Sequence, residues 1–600
     1  MARPAVGRSD RGNARESALN QSLQRRSRLL RYAPVIALAV AVGRLAAQDT
    51  TAAAKSAPPP GPRCNGETVS VVTITRGEPV VVERSTGALR PFLRFALAGV
   101  PTRESAIAPF LLVKQGDKCS ELALRESERV LRAQPYLADA KAVVTPDANG
   151  TVRVDFSTTD DIRPILGLGM NGGTPTRIKL GSANLAGYGM ALAGQWKQGF
   201  AFRDGWLLQF RDYSTFGRQW LFDTYLERAP LGEVETATLS QPLYSQFQRI
   251  AWSANVVHLD NYQSFLRGEG DIDPLSLEVN RTGWQVNALY RLGGGANGVY
   301  GGVQVGGEHV SPADRGVIIT DDGFVDDPDT TLGPRYTTQD RTLVSLILGA
   351  RGLRFFKATG FDALEGAQDV ANGMQFGGAF GHGVGSEFTG WYGGSQLYAG
   401  MGTPRFFAGL EGNVEAKREG DDWSDVITEG RLAFYSHPTK RQTRILSIEY
   451  AGAWRTTVPF ELRLGTARAG LRGYEDSETS GGRRAVVRLE DRLVFPGIKN
   501  YLGLGAAAFV DAGKMWAGDV PFGETVNPRV GAGIGLIIAI PRSSRQNLRV
   551  DFAGPLISDA GSKWGVNFTI TSGRPRFWRP ASDLARARSV AQTPVVFGWP

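Results

Sequence analysis

Residues 471–474 read Leu471-Arg472-Gly473-Tyr474, and a later stretch reads Phe509-Val510-Asp511-Ala512-Gly513. Both lie where apolar and polar residues alternate as they do in β-strands. A guanidinium in a glycine-containing loop and a carboxylate on a later strand can form a directional, bidentate pair. The two stretches therefore predict a loop that a charge pair holds inside a barrel.

The neighbouring residues support this prediction. On the strand before Asp511, the inward face carries Arg488, Glu490 and Arg492, so Glu490 is a second predicted acceptor for Arg472. The alternative is a solvated arginine and an ordinary lumenal carboxylate. In a water-filled lumen, breaking the pair is expected to cost about 0–1 kcal/mol, as at a surface. Small inward residues near Asp511 leave room for the loop: Gly503, Gly505 and Ala507.

From about residue 162 onward the sequence alternates with period two. In residues 284–291 the polar Gln285, Asn287 and Arg291 share one face, opposite an apolar face that includes Trp284. Apolar-out and polar-in alternation is typical of membrane barrels. We predict an all-β transmembrane barrel over residues 162–574. Sixteen antiparallel strands would use about 26 residues each, and fourteen or eighteen strands fit almost as well. A soluble β-sandwich or propeller is the alternative, although no repeat of propeller length is present.

The positive charge is concentrated at the start of the chain. The net charge is +9, and residues 1–48 carry +7 of it, which leaves +2 for the rest. The positive charge is therefore no longer an argument for a nucleic-acid partner. An apolar run at residues 33–43 follows the basic stretch and is too short for a membrane-spanning helix, which needs about 20 residues. We predict a signal peptide over 1–48, cleaved near Ala47 or Gln48, and a Pro-rich linker over 49–63.

Residues 64–161 are predicted to form a small α/β domain. The pattern predicts β-branched strands at 69–75 and 79–83, a helix at 120–133 capped by Ser120, and a hairpin of 140–145 and 151–157. The predicted apolar positions of the helix are Leu122, Leu124, Val130 and Leu131.

The chain has two cysteines, Cys64 and Cys119, and both lie in this domain. In an oxidising compartment, such a pair more often forms a disulfide than a metal or redox site, so we predict a disulfide. The histidines show no ligand spacing, and neither a metal nor another cofactor is expected. They are His258, His309, His382 and His437.

Residues 100–160 resemble a POTRA domain, the periplasmic β-α-α-β-β module. The matching residues are Leu111-Leu112, Gly116-Asp117, residues 126–129, Leu131-Arg132, Tyr136-Leu137 and Asp139. A POTRA-like module followed by a barrel resembles the BamA/TamA superfamily of outer-membrane assembly and translocation proteins, also called bacterial surface antigens. Four barrel segments carry this resemblance: residues 184–189, 471–474, 509–513 and 548–556.

The resemblance implies a barrel in the outer-membrane lipid, with the module in the periplasm and client polypeptides as partners. Accessory proteins are not implied by any residue. Two features depart from the family pattern. Members usually end at an aromatic residue on the last strand, whereas here Phe577 is followed by further residues in an extension over 575–600. Only one POTRA-like module is present, where the central assembly factor carries several.

Three classes of function remain open from the sequence. An insertase or translocase would pair clients with the edge of the module and with the seam between the first and last strands, and it would need no nucleotide. A passive pore or surface antigen would keep the architecture without handling clients. A secreted enzyme is the third class, but no Ser/His/Asp or paired-carboxylate arrangement rises above chance, so we expect no enzyme.

Overall fold

The computed structural model describes residues 64–569, with gaps, together with residues 582–585 and 588. The predicted signal peptide, the linker and Phe577 lie outside the described residues. Among the residues that are described, no helix is long and apolar enough to cross a membrane. The gaps comprise residues 65, 84–86, 88, 172–173, 268–274, 294–296, 386, 466–469, 475–478, 499–500 and 558–564.

The N-terminal module, residues 64–161, is built on a three-stranded sheet. Strand β3 (Val152–Asp160) lies between β1 (Val69–Gly77), which is parallel to it, and β2 (Leu137–Pro146), which is antiparallel. The order is one strand, then helices, then a hairpin, whereas the pattern predicts two strands, one helix and a hairpin. The helices are α1 (Val80–Glu83), α2 (Leu89–Leu93), α3 (Glu104–Ile107) and α4 (Glu121–Ala133).

Helix α4 agrees with the helix predicted at 120–133. It begins after Ser120, whose hydroxyl accepts a hydrogen bond from the Ala123 amide at 3.4 Å. Leu124 is fully buried, but Leu122 is 51% exposed, so its predicted place in the core is wrong. The predicted strand at 79–83 is also wrong, because that run forms α1. Proline favours the first turn of a helix, and β-branched residues are only weakly disfavoured there.

The rest of the described chain up to residue 569 forms one closed antiparallel ring of strands. Its strands, with two short hairpins, are β4 (Pro164–Asn171), β5 (Thr174–Ser182), β6 (Met190–Phe200), β7 (Arg203–Asp212), β8 (Leu221–Arg228), β9 (Gly232–Gln241), β10 (Ile250–Phe265), β11 (Leu275–Leu292), β12 (Asn297–Pro312), β13 (Val317–Thr320), β14 (Gly323–Asp326), β15 (Gln339–Thr359), β16 (Ala367–Gly383), β17 (Trp391–Thr403), β18 (Phe406–Glu419), β19 (Asp422–Thr439), β20 (Gln442–Trp454), β21 (Leu462–Arg463), β22 (Ser480–Gly481), β23 (Arg483–Ile498), β24 (Leu502–Trp516), β25 (Arg529–Ala539), β26 (Leu548–Ile557) and β27 (Gly565–Thr569).

The two hairpins lie in links between wall strands. Strands β13 and β14 extend the β12–β15 link, while β12 pairs directly with β15. Strands β21 and β22 pair with each other in the β20–β23 link. The ring closes where β27 pairs with β4.

The described wall therefore has twenty strands, and the predicted sixteen is wrong. Strands β4 to β9 explain the difference, because all six fit between Pro164 and Gln241. Several of their links have only two or three residues, so each strand uses far fewer residues than the predicted average. Strand count depends on link lengths, which period-two alternation does not reveal.

The two faces of the wall alternate as predicted. In β11, Gln285 and Asn287 are 3% and 2% exposed, whereas Trp284 and Val286 are 44% and 52% exposed. On this strand apolar side chains therefore face outward, and polar side chains point inward, where they are buried.

Candidate functional site

The link between β20 and β23 enters the lumen and packs there. Leu471 is fully buried and Tyr474 is 3% exposed. Both belong to an apolar cluster that also contains inward-facing residues of the wall. The loop is thus part of the barrel interior and not a surface loop. Other members of the cluster are Phe460, Leu462, Leu464, Val486 and Met515.

The predicted charge pair is formed. The Nε and Nη2 of Arg472 donate to the two carboxylate oxygens of Asp511, each at 2.7 Å, and Nη1 donates to Glu490 at 2.8 Å. The guanidinium carbon also lies 3.5 Å from the centre of the Phe509 ring. One arginine therefore joins carboxylates on two neighbouring strands, β23 and β24, above an aromatic face.

Glu490 lies at the centre of a wider network. Its carboxylate accepts from Arg492 and, through two hydrogen bonds at 2.8 and 2.9 Å, from Arg549 of β26. Arg549 also donates to Asp551 at 2.8 Å. Arg549 lies in the segment 548–556 that carries the family resemblance, but the sequence does not assign it this role. Alternation shows which face a residue occupies, but not which residues meet it across the lumen.

The network is more deeply buried than the sequence predicts. Asp511 is fully buried, and the Arg472 side chain is 14% exposed. A cavity of about 290 Å³ lies beside the cluster, lined mainly by charged residues that include Arg488 and Glu449. The expected cost of about 0–1 kcal/mol applies to a solvated pair, whereas this pair is buried. A buried pair costs about 3–5 kcal/mol when one partner is removed.

Glycines allow the loop backbone to approach the wall closely. Gly473 has φ +90°, and a Cβ there would lie 2.8–2.9 Å from the backbone of Gly554. A Cβ at Gly513 would lie 2.9 Å from Leu471 Cδ2. A Cβ at Gly531 of β25 would lie 2.4 Å from the Arg472 carbonyl oxygen. The glycines of three separate segments thus have one physical cause.

Tyr474 fixes the other end of the motif. Its hydroxyl lies 3.0 Å from the Val530 carbonyl oxygen and also reaches the Ile557 carbonyl. The motif therefore contacts β23, β24, β25 and β26 together.

In the N-terminal module, Cys64 and Cys119 form a disulfide, with their Cα atoms 5.3 Å apart. Cys119 lies in the module core, and Cys64 packs against that core. The bond ties the segment before β1 to the start of α4, and it is remote from the loop motif.

Helix α4 docks on links and strands of the barrel, a contact that the sequence does not predict. Glu126 binds Arg129 in a bidentate pair and accepts a hydrogen bond from the Gln246 amide at 2.8 Å. Arg132 binds Asp369 of β16 through two hydrogen bonds at 2.9 Å. Burial raises the pKa of Glu126, but its hydrogen bond and charge interaction with Arg129 outweigh burial and lower the pKa overall.

The free edge of β2 is partly occupied. The Ala142 amide donates to Glu128 at 2.7 Å, and the Ala140 carbonyl accepts from Arg132 at 3.1 Å. The Leu137 carbonyl accepts from Arg545 of the β25–β26 link. An insertase or translocase would pair clients with an edge of the module, and β2 is one of the two edge strands of its sheet. Pairing along residues 137–142 would require these side chains to move.

Comparison with known proteins gives weak similarity only. No family model matches the chain, and no curated protein matches it significantly. Among solved structures, BamA from Haemophilus ducreyi lacking POTRA domains 1–3 aligns with a TM-score of 0.38 and 12% identity, covering 84% of each chain.

Two CdiB structures align similarly. CdiB from Acinetobacter baumannii has a TM-score of 0.37 and 12% identity over 84% of this chain and 74% of its own. CdiB from Escherichia coli has a TM-score of 0.37 and 11% identity over 86% of this chain and 92% of its own. Because these TM-scores lie below 0.5, we derive neither the fold nor the function of this chain from them.

Proposed function

We propose that this chain is an outer-membrane β-barrel protein of the BamA/TamA type, with a periplasmic POTRA-like module, that assists insertion or translocation of client polypeptides without a nucleotide. The outward face of the wall supports the membrane location. It exposes Trp206, Leu208, Leu346 and Phe380 at 47–61%, and an apolar surface on this scale requires lipid or a partner around it.

The packed lumen is the observation that favours client handling over a passive pore. Leu471, Tyr474, Glu490 and Asp511 all point into the lumen, and none is more than 6% exposed. An open channel would leave such side chains in water. A barrel with a loop packed against its inner wall, as the described residues show here, is suited to act through its wall or through a regulated opening.

The position of the β27–β4 pair supports a role for the wall. These are the last and the first wall strands, and no link between consecutive strands spans their pairing. Separating them breaks strand hydrogen bonds without stretching a connection. The two edges then exposed could pair with an incoming strand.

Reconstitution into liposomes tests this proposal. A radiolabelled, urea-unfolded barrel protein serves as the client, and its folded fraction is measured by heat-modifiable migration and protease resistance. We expect the protein to speed client insertion and Arg472→Ala to reduce that effect. Arg444→Ala is the matched control, since Arg444 is 59% exposed and faces Asp491 at 3.6 Å on the outer side of adjacent strands.

The alternative functions give different results in the same liposomes. A passive pore would leave client insertion at the rate of empty liposomes while admitting small solutes. That outcome would contradict the proposal.

A further inference from the structure

The described residues of the C-terminal extension lie inside the barrel. Leu584, in α5 (Ser582–Ala585), is fully buried in the apolar cluster that contains Phe460, Leu462 and Leu471. The extension is therefore in contact with the same loop that carries the Arg472 motif.

Asp583 is held by a cationic site. Its carboxylate accepts from Arg484 Nη1 of β23 at 2.9 Å and from the Arg463 amide of β21 at 3.3 Å. The side chains of Asp583 and Arg484 are 1% and 3% exposed. A buried ion pair of this kind is strongly destabilised when either partner is removed.

Arg588 is held by an anionic site on other strands. Its guanidinium pairs with Glu429 of β19 and lies 3.9 Å from Glu415 of β18. Arg281 of β11 donates to its carbonyl oxygen. Strands β11 and β19 are not neighbours in the ring, so the extension connects separate parts of the wall.

Arg588 adds a cation to a group of buried charged residues on the wall. The wall brings four carboxylates and three cations to this group of buried residues, and Arg588 supplies the fourth cation. The wall carboxylates are Glu308, Glu415, Asp425 and Glu429, and the wall cations are Arg281, Arg341 and Lys417.

We propose that the lumen contains a peptide-binding site, with a cationic part at Arg484 and an anionic part at Glu415 and Glu429, and that the C-terminal extension occupies it. The ligand class is a peptide with an acidic residue five positions before a basic one and an apolar residue next to the acidic one. The site does not depend on client insertion, and its test needs only the folded protein in detergent.

Binding of a synthetic peptide tests the proposal. A variant that ends at residue 574 is confirmed to be folded by heat-modifiable migration, and a fluorescein-labelled peptide with the sequence of residues 580–592 is titrated by anisotropy. We expect this variant to bind the peptide, and the full-length protein to bind it about tenfold or more weakly, because its own extension competes. A peptide with Asp583→Arg and Arg588→Asp should bind the shortened variant about tenfold or more weakly than the unchanged peptide. Equal binding of the two peptides, or no binding to the folded shortened variant, would overturn the proposal.

Tryptic digestion of the full-length protein gives a second test if the shortened variant does not fold. Asp583→Arg should expose the bond after Arg588 to trypsin, and mass spectrometry reads cleavage at that bond alone because the substitution adds a tryptic site of its own. Adding Arg484→Asp should restore protection because the pair re-forms with reversed charges. Arg444→Asp in the Asp583→Arg background is the control, because it makes the same change of charge as Arg484→Asp but on the outer face. The proposal fails if the wild-type extension is cut as fast as that of Asp583→Arg, or if the double variant is no better protected than the single one.

Discussion

At the scale of single residues, Arg472 connects two strands that already pair with each other. Asp511 and Glu490 lie on β24 and β23, and Arg472 reaches both from the intervening loop. Strand pairing alone therefore places the two acceptors side by side. The loop depends on the pair far more than the strands do.

Arg472→Ala should lower the free energy of unfolding by about 3–5 kcal/mol, because it leaves two buried carboxylates without this guanidinium. Urea titration in detergent micelles, followed by tryptophan fluorescence, measures the change. Arg444→Ala should leave the midpoint almost unchanged, because Asp491 keeps its two hydrogen bonds from Gln442. If the two variants lower the urea midpoint equally, the lumenal pair contributes no more to stability than the pair on the outer face.

Exchange of the two charges tests whether Arg472 and Asp511 act as partners. Asp511→Arg alone should be more harmful than Arg472→Ala, since it sets two guanidiniums together beside Arg488. Adding Arg472→Asp should restore only part of the loss, because the new carboxylate faces Glu490. Client insertion in liposomes and urea midpoints are the measurements. A double variant no better than Asp511→Arg would show that the side chains are not partners.

The sequence predicts this pair but not its surroundings. Motif order and alternation are sufficient to place Arg472 with Asp511 and Glu490. The contact from Arg549 requires the register of three strands, and the burial of Asp511 requires knowing that the loop fills the lumen. Neither can be read from spacing, so the sequence alone treats the pair as a solvated one.

At the scale of elements, α4 connects the N-terminal module to the barrel through Glu126 and Arg132. The pKa of Glu126 lies below its ordinary value of 4.5, so its ionised form stabilises the folded, docked state. This stabilisation is fully present above about pH 4.5 and is lost as the pH falls through the lowered pKa. Asp160 acts in the opposite direction, because burial raises its pKa.

Glu126→Gln should therefore lower the thermal midpoint at pH 7 and have progressively less effect below pH 4.5. Differential scanning fluorimetry of both proteins across this range isolates Glu126, since Asp160 is common to them. A midpoint difference that does not change with pH would contradict the role of the charge.

The disulfide of the module gives a separate prediction. Alkylation of the denatured but non-reduced protein should label neither Cys64 nor Cys119, and reduction should expose both thiols to the reagent. Mass spectrometry counts the labels. Labelling of both cysteines without a reductant would show that the bond does not form in the isolated protein.

Element types were easier to predict than element number. The helix at 120–133 has a clear cap and apolar stripe, and the structure agrees within one residue. The strand predicted at 79–83 is wrong because two signals conflict there. The β-branched run favours a strand, whereas Pro79 favours the first turn of a helix. The strand total was wrong because the first six wall strands are short and tightly linked.

At the scale of the whole molecule, an apolar outer face surrounds a lumen filled by charged and apolar contacts. The outer face is compatible with lipid, and the filled lumen argues against a permanently open pore. The apolar outer face follows from period-two alternation along the wall strands, whereas the packed interior depends on the loop that carries Arg472.

Fractionation of cells that produce the full chain tests the membrane barrel itself. We expect the protein to sediment with outer membranes, to resist extraction by carbonate, and to migrate faster on a gel when unheated than when boiled, because a closed barrel stays compact in detergent. Recovery from the soluble periplasmic fraction, with one mobility before and after boiling, would contradict a membrane barrel.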